Sequence, residues 1–303
     1  MSITKILLEQ IIIMFLLAGI GYALFKTKKI TAEGSKYFGN LLIYIVLPCV
    51  IINSFLVERT PERILGLFVS ALMAALILGI SIIFSRIIFK KDSIACFAAA
   101  FSNAGFIGIP LIIVAVGSDS VFYIASFIAF LNLLQWTYGV FLMSGHKNAI
   151  KPCTVLKAPF MIAIEIGLLF FFSQLSIPHI LTRTLSTLSG VNTPLAMFTI
   201  GIYLAQTDLK KMLTKPKLYR ISAVRLILIP IVTLLLLCFL PQTWLNIKIA
   251  LLIASACPVG SNVAVYAQLH NQSHVYAVET VVISTLLSIL TIPTLVFLAN
   301  WLW

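Results

Sequence analysis

The chain has 303 residues, 61% of them hydrophobic and only 10% charged, with a mean hydropathy of +1.10. Soluble domains carry about 25% charged residues, so a water-soluble globule is excluded and most of this chain belongs in lipid. The formal charge of +12 comes from basic residues scattered between apolar runs, with no patch of interleaved aromatics, which argues against a nucleic-acid partner.

The hydrocarbon core of a bilayer is about 30 Å thick and takes roughly 20 apolar residues per helix. On that ruler the sequence predicts ten spans, at 7–25, 38–56, 64–88, 94–116, 121–144, 159–177, 191–207, 218–240, 248–268 and 275–302. The first run is too long for a signal peptide, contains Glu9 and lacks a small-residue cleavage site, so it reads as a span. The five cysteines, Cys49, Cys96, Cys153, Cys238 and Cys257, are odd in number and form no C-x-x-C pair. They predict neither a disulfide framework nor a metal site, and no cofactor is expected.

Basic residues test the span assignment, because Lys and Arg concentrate in cytoplasmic loops. One alternate set of loops holds Lys26, Lys28, Lys29 and Lys36, then Arg86, Lys90 and Lys91, then Lys147, Lys151 and Lys157, then Lys210, Lys211, Lys215, Lys217 and Arg220. The opposite set holds only Lys5, Arg59, Arg63, Arg183 and Lys248. The expectation is a multi-pass protein of a cell inner (plasma) membrane with both termini on the non-cytoplasmic side.

Ten spans with a polar loop at 145–158 divide into two units of five, residues 1–148 and 149–303, and an odd number of spans inverts the second copy. Sites in inverted-repeat transporters form at interrupted helices near the midplane. The fourth and ninth spans are the interrupted ones: SNAGFIGIP runs from Ser102 to Pro110 and SACPVGSN from Ser255 to Asn262. A shift of 153 residues lays Ser102 on Ser255, Ser120 on Ser273 and Tyr123 on Tyr276, and superimposes the breaks.

Pro110 and Pro258 have no N–H to give a helix, and glycines let another backbone or a ligand approach. Non-helical backbone survives at membrane depth only inside protein or beside a water-filled cavity, and half-helix N-termini there suit a carboxylate. Asn103 and Asn262 could add side-chain hydrogen bonds. The plainer alternative is that Pro and Gly merely kink membrane helices or permit close packing. That alternative weakens for paired clusters in equivalent spans and holds for Pro48, Pro194, Pro230 and Pro293.

NAGFIGIP in the fourth span, with PVGSNVAVYAQLH and STLLSILTIP near the end, resembles the auxin efflux carrier family, which includes bacterial malate permeases and the plant PIN auxin exporters. The resemblance covers essentially the whole chain and is strongest over 94–112 and 250–294. It implies an all-α polytopic fold of ten helices, with broken crossover helices 4 and 9, shared with sodium/proton antiporters and bile-acid transporters. It further implies a scaffold of spans 1, 2, 6 and 7, and a transport domain of spans 3–5 and 8–10 that moves as an elevator. Carried over by motif, Asn103, Gly105, Gly108 and Pro110 form one half of a substrate-binding crossover, and Pro258, Gly260, Ser261 and Asn262 the other. The large loop of the long plant exporters is absent, which weakens auxin as the substrate. The implied partners are a small organic anion, the lipid bilayer and a second copy of the chain.

Ionisable groups inside spans are costly and are candidates for coupling. Arg225 lies near the cytoplasmic end of the eighth span, where snorkelling to the interface is the plain expectation and anion attraction or an ion pair the alternative. Glu279, close after the ninth-span break, suits a cation or proton as well as interfacial solvation. Glu165 is deeper, on the expected scaffold. No dense carboxylate cluster supplies hard ligands for sodium, so uniport or proton-linked movement is favoured, with sodium open through backbone carbonyls. An intramembrane aspartyl protease is excluded because Asp92, Asp119 and Asp208 lie at span ends, and a serine type lacks its elbow. A channel, or a sensor built on the carrier fold, is the remaining alternative.

Overall fold

The computed structural model describes residues 3–146 and 157–303. Lys147, Lys151, Cys153 and the expected junction at 148–149 lie outside the described residues. Among these residues the protein is all-helical. Seven helices are long and apolar enough to cross a membrane: α1 Ile3–Lys26, α2 Glu33–Phe55, α3 Pro61–Phe89, α6 Ser120–Ser144, α8 His179–Gln206, α10 Pro216–Leu237 and α13 His274–Leu302. Between them lie α4 Ser93–Ala100, α5 Ala104–Val116, α7 Pro159–Ser173, the short α9 Leu209–Leu213, α11 Leu245–Ala256 and α12 Asn262–Leu269.

Helix starts follow local chemistry. Thr60 accepts from the Arg63 N–H at 3.2 Å with Pro61 at the first turn of α3, Asp92 accepts from the Ala95 N–H at 3.0 Å to open α4, and Ser273 opens α13. Each satisfies one of the four orphan N–H groups that every helix start carries.

Three expected spans differ from uninterrupted helices. The run 94–116 is cut into α4 and α5, and the run 248–268 into α11 and α12, by stretches of non-helical backbone at 101–103 and 257–261. The run 159–177 ends at Ser173, because Gln174 takes a left-handed conformation (φ 52°) and its Nε2 donates to the Phe171 and Val57 carbonyls. At about 1.5 Å per residue, the 15 residues of α7 rise only about 22 Å. Conversely, α8 starts at His179, twelve residues before the expected 191. Its first turns are rich in Ser and Thr, which an apolar window passes over. Thr184, Thr187 and Ser189 donate back to the Ile180, Arg183 and Leu185 carbonyls at 2.7–2.9 Å and so hide their hydroxyls within the helix.

Packing follows small residues, as it must where lipid offers no hydrophobic drive between helices. α1 lies along α8 with Gly21 and Gly201 at the crossing. A Cβ on Gly201 would collide with the Ala18 carbonyl, and one on Gly21 with the Phe198 carbonyl. α7 and the first half of α8 pack on α2, while α3, α4, α5, α6, α10, α11, α12 and α13 pack chiefly on one another. α4, with sequence SIACFAAA, is almost wholly buried there.

Among the described residues four helices carry one wide turn with hydrogen bonds spanning five residues, at 42–46, 104–108, 135–139 and 224–228. Pro48, Pro110 and Pro230 each stand two residues beyond one of them. The ring of a helical proline clashes with the carbonyl four residues back. Those carbonyls, on Tyr44, Phe106 and Leu226, fall inside the wide turns, so the turn relieves the clash. Pro48 and Pro230, expected to kink their helices, each follow a wide turn, and such turns are themselves places where helices kink.

Candidate functional site

The two interruptions meet. Residues 101–103 and 257–261 run past each other, and Ser102 pairs with Val259 in an isolated antiparallel bridge. The Asn103 N–H donates to the Pro258 carbonyl at 2.8 Å and the Gly260 N–H to the Phe101 carbonyl at 3.0 Å. The Val259 N–H is taken by Ser284 Oγ of α13 at 3.1 Å. Backbone at membrane depth needs partners for such groups; two of them the breaks supply to each other, and α13 supplies the third. Gly260 eases the approach: a Cβ there would sit a tight 3.1 Å from the Ser102 carbonyl oxygen.

Beside this meeting point lies a cavity of about 400 Å³. Asn103 and Gly105 line it from one break, and Gly260, Ser261 and Asn262 from the other. Gly108, Pro110 and Pro258 do not line it. Gly108 packs on Cys257, where a Cβ would lie 3.2 Å from the Sγ, and Pro110 is buried in α5. Pro258 contributes its carbonyl to Asn103. Sequence reasoning missed several of the remaining polar lining residues: Gln135 and Asn132 of α6, Tyr266 of α12 and Lys157 ahead of α7. The first two are amides within a span, a signal that was legible. The wide turns supply a further part of the lining, Ile43 and Tyr44 in α2, Gly105 and Phe106 in α5, and Gln135 and Trp136 in α6.

The cavity is rich in hydrogen-bond donors. Asn262 Nδ2 donates to Gln135 Oε1 at 2.8 Å, which fixes both amides. By contrast Asn103 Nδ2, Ser102 Oγ and the Tyr266 hydroxyl are buried with no hydrogen-bond partner. An unsatisfied buried polar group costs roughly 1–3 kcal/mol, which makes these three residues beside the cavity candidates for a ligand's hydrogen bonds. Lys157 is the one charged side chain among the described lining residues. On the far side of Gly105, Asn192 of α8 donates to the Gly105 carbonyl at 3.4 Å and also lines a second, polar cavity of about 430 Å³ that reaches Asp119 and Thr182.

The three ionisable candidates part company. Arg225 does not snorkel: it is 1% exposed, and the wide turn at 224–228 aims it inward to the carbonyls of Ala99, Ala100 and Ser255. Glu279 is held by Lys215 Nζ at 2.6 and 2.7 Å, away from the cavity. Glu165 is exposed on α7 and does not line the cavity.

The family described as "Membrane transport protein" matches residues 6–296. The chain belongs to this family. It is the auxin efflux carrier family that the fourth-span and ninth-span motifs resemble, and the match covers both breaks and every lining residue named for the cavity. A relative from Rhizobium meliloti (strain 1021) described as "Putative malonate transporter" is 26% identical over 301 residues, covering 92% of this chain and 91% of the relative. Membership makes this a multi-span membrane transport protein, with the donor-lined cavity as its candidate binding site.

Proposed function

We propose that this family member is a secondary transporter of small organic anions, in particular short carboxylates such as malonate or malate. The observation that carries the proposal is the set of unpartnered donors, Asn103 Nδ2, Ser102 Oγ and the Tyr266 hydroxyl, gathered at the facing breaks. A carboxylate only accepts hydrogen bonds, so it suits donors left free. Half-helix N-termini at Asn103 and Ser261 add unpaired N–H groups of the same polarity, and Lys157 draws an anion to the mouth. The malonate named for the relative belongs to the same chemical class.

α4 with α5, and α11 with α12, then count as one interrupted crossing each. With α7 as a short crossing the chain has ten, in two inverted units. The scaffold is α1, α2, α7 and α8, and the remaining helices form the transport domain that carries the crossover. Lys157, a lining residue of the cavity, belongs to one of the basic loops, which supports a cytoplasmic opening for the cavity and termini on the other side. The second cavity lies across the Asn192–Gly105 contact, on the path an elevator movement would open.

The test is counterflow in proteoliposomes loaded with malonate, or separately malate, and offered the labelled compound outside. Saturable uptake that needs the internal carboxylate is expected. Correctly inserted protein that exchanges neither compound, nor any other short carboxylate, would sink the assignment in favour of a sensor. Flux that never saturates would point to a channel.

A further inference from the structure

The most buried charged side chain among the described residues, Arg225, does not line the cavity. Arg225 Nη1 donates to the carbonyls of Ala99 and Ala100, at 3.0 Å each, and Nη2 donates to the carbonyl of Ser255. Ala99 and Ala100 are the last residues of α4, and Ser255 lies in the last turn of α11. The guanidinium thus sits where the C-termini of the two first half-helices converge. Each helix C-terminus carries about half a negative charge, so the pair presents about one, which a single guanidinium balances. No carboxylate shares it: the ion pairs among the described residues join Arg63 to Asp119, Lys211 to Asp208, Lys215 to Glu279 and Lys217 to Asp92. Nor do the described residues hold any group of three or more His, Cys, Asp or Glu that could take a metal ion.

We propose that Arg225 is a resident counter-cation, fixed where two converging half-helix C-termini would otherwise call for a bound metal cation, and that the protein therefore works without sodium at this position. The transport half of this statement rests on the secondary-transporter reading. Backbone carbonyls are hard oxygen ligands that could hold sodium, but here the guanidinium takes them. Its planar fork reaches both half-helices at once from two nitrogens, a fixed geometry that the point charge of an ammonium does not impose, so it also ties the two half-helices into a unit.

Melting and uptake in sodium and in choline at equal ionic strength test the proposal. The wild-type protein is expected to melt at the same temperature in both, and its carboxylate uptake is expected to be equal in both. Arg225→Ala is expected to melt about 5 °C or more below wild type, from the loss of a buried hydrogen-bonded charge. Millimolar guanidinium should recover part of that difference, and Arg225→Lys less of it. A saturable rise in wild-type melting temperature or uptake with sodium overturns the proposal, as does an Arg225→Ala protein that melts like wild type. Should Arg225→Ala fail to fold, the wild-type sodium titration decides alone. Melting needs no transported substrate, so an absence of carboxylate uptake would undo the proposed function and leave this question answerable.

Discussion

Asn103 precedes α5 and Asn262 opens α12, but the two are in different states. Gln135 already engages Asn262, whereas Asn103 Nδ2 is buried with nothing to donate to. The two should therefore respond differently to truncation. Asn103→Ala removes an orphan donor, so the empty protein should melt no lower than wild type, while carboxylate uptake at low concentration falls roughly 10- to 100-fold, the worth of a hydrogen bond to a charged group. Uptake assays and melting curves on the same preparation check this. Unchanged uptake would remove Asn103 from the site, and a large drop in melting temperature would make it a structural residue. The sequence marked Asn103 by its neighbours Gly105, Gly108 and Pro110. That its amide is buried without a partner is a property of the folded chain, to which α2, α6 and α12 contribute the rest of the cavity lining.

Among the helices, the prolines divide by how each chain segment accommodates the missing N–H and the bulky ring. Pro48, Pro110 and Pro230 stand behind wide turns, while Pro293 sits inside the regular α13. A wide turn accommodates one extra residue, and since each residue of an α-helix turns about 100°, relaxing it would swing the side chains on one flank to another face. Pro230→Ala restores the N–H and removes the clash with the Leu226 carbonyl. It is expected to let residues 224–228 revert toward regular helix and to carry Arg225 off the Ala99, Ala100 and Ser255 carbonyls. The expected readout is a lower melting temperature together with lost uptake. Pro293→Ala, with no wide turn to relax, should change both far less. Equal behaviour of the two variants would mean that the turn at 224–228 does not depend on its proline.

Across the molecule as a unit, Gly105 lines the cavity beside the breaks, while Asn192, which donates to its carbonyl, lines the polar cavity that reaches Asp119 and Thr182; the proposed alternating access uses the two in turn. With Cys49, Cys153 and Cys238 replaced by serine, a cysteine at Lys157 should be modified by a membrane-impermeant thiol reagent from the cytoplasmic side. One at Thr182 should be modified from the other side. Saturating carboxylate should slow the reaction at 157. Labelling of both from one side would overturn the proposed orientation and, with it, the alternating use of the two cavities.

Composition and residues near one another in the chain were enough for a large part of this picture. The 61% hydrophobic content put the chain in lipid, the spacing of apolar runs located the helices, and two clusters of Asn, Gly and Pro located the breaks. The limits of α7 and α8 were not legible, because a left-handed Gln174 ends one and back-bonded Ser and Thr extend the other, effects to which a hydropathy window is blind. Three features emerged only from the folded chain: the backbone hydrogen bonds by which the two breaks pair, the inward turn of Arg225 rather than toward the interface, and the cavity that Gln135, Tyr266 and Lys157 share with Asn103. The physical reason is common to all three. A backbone group or a charge at membrane depth must find a partner, and the sequence shows the need but not the distant residue that meets it, 155 positions away in the case of Asn103 and Pro258.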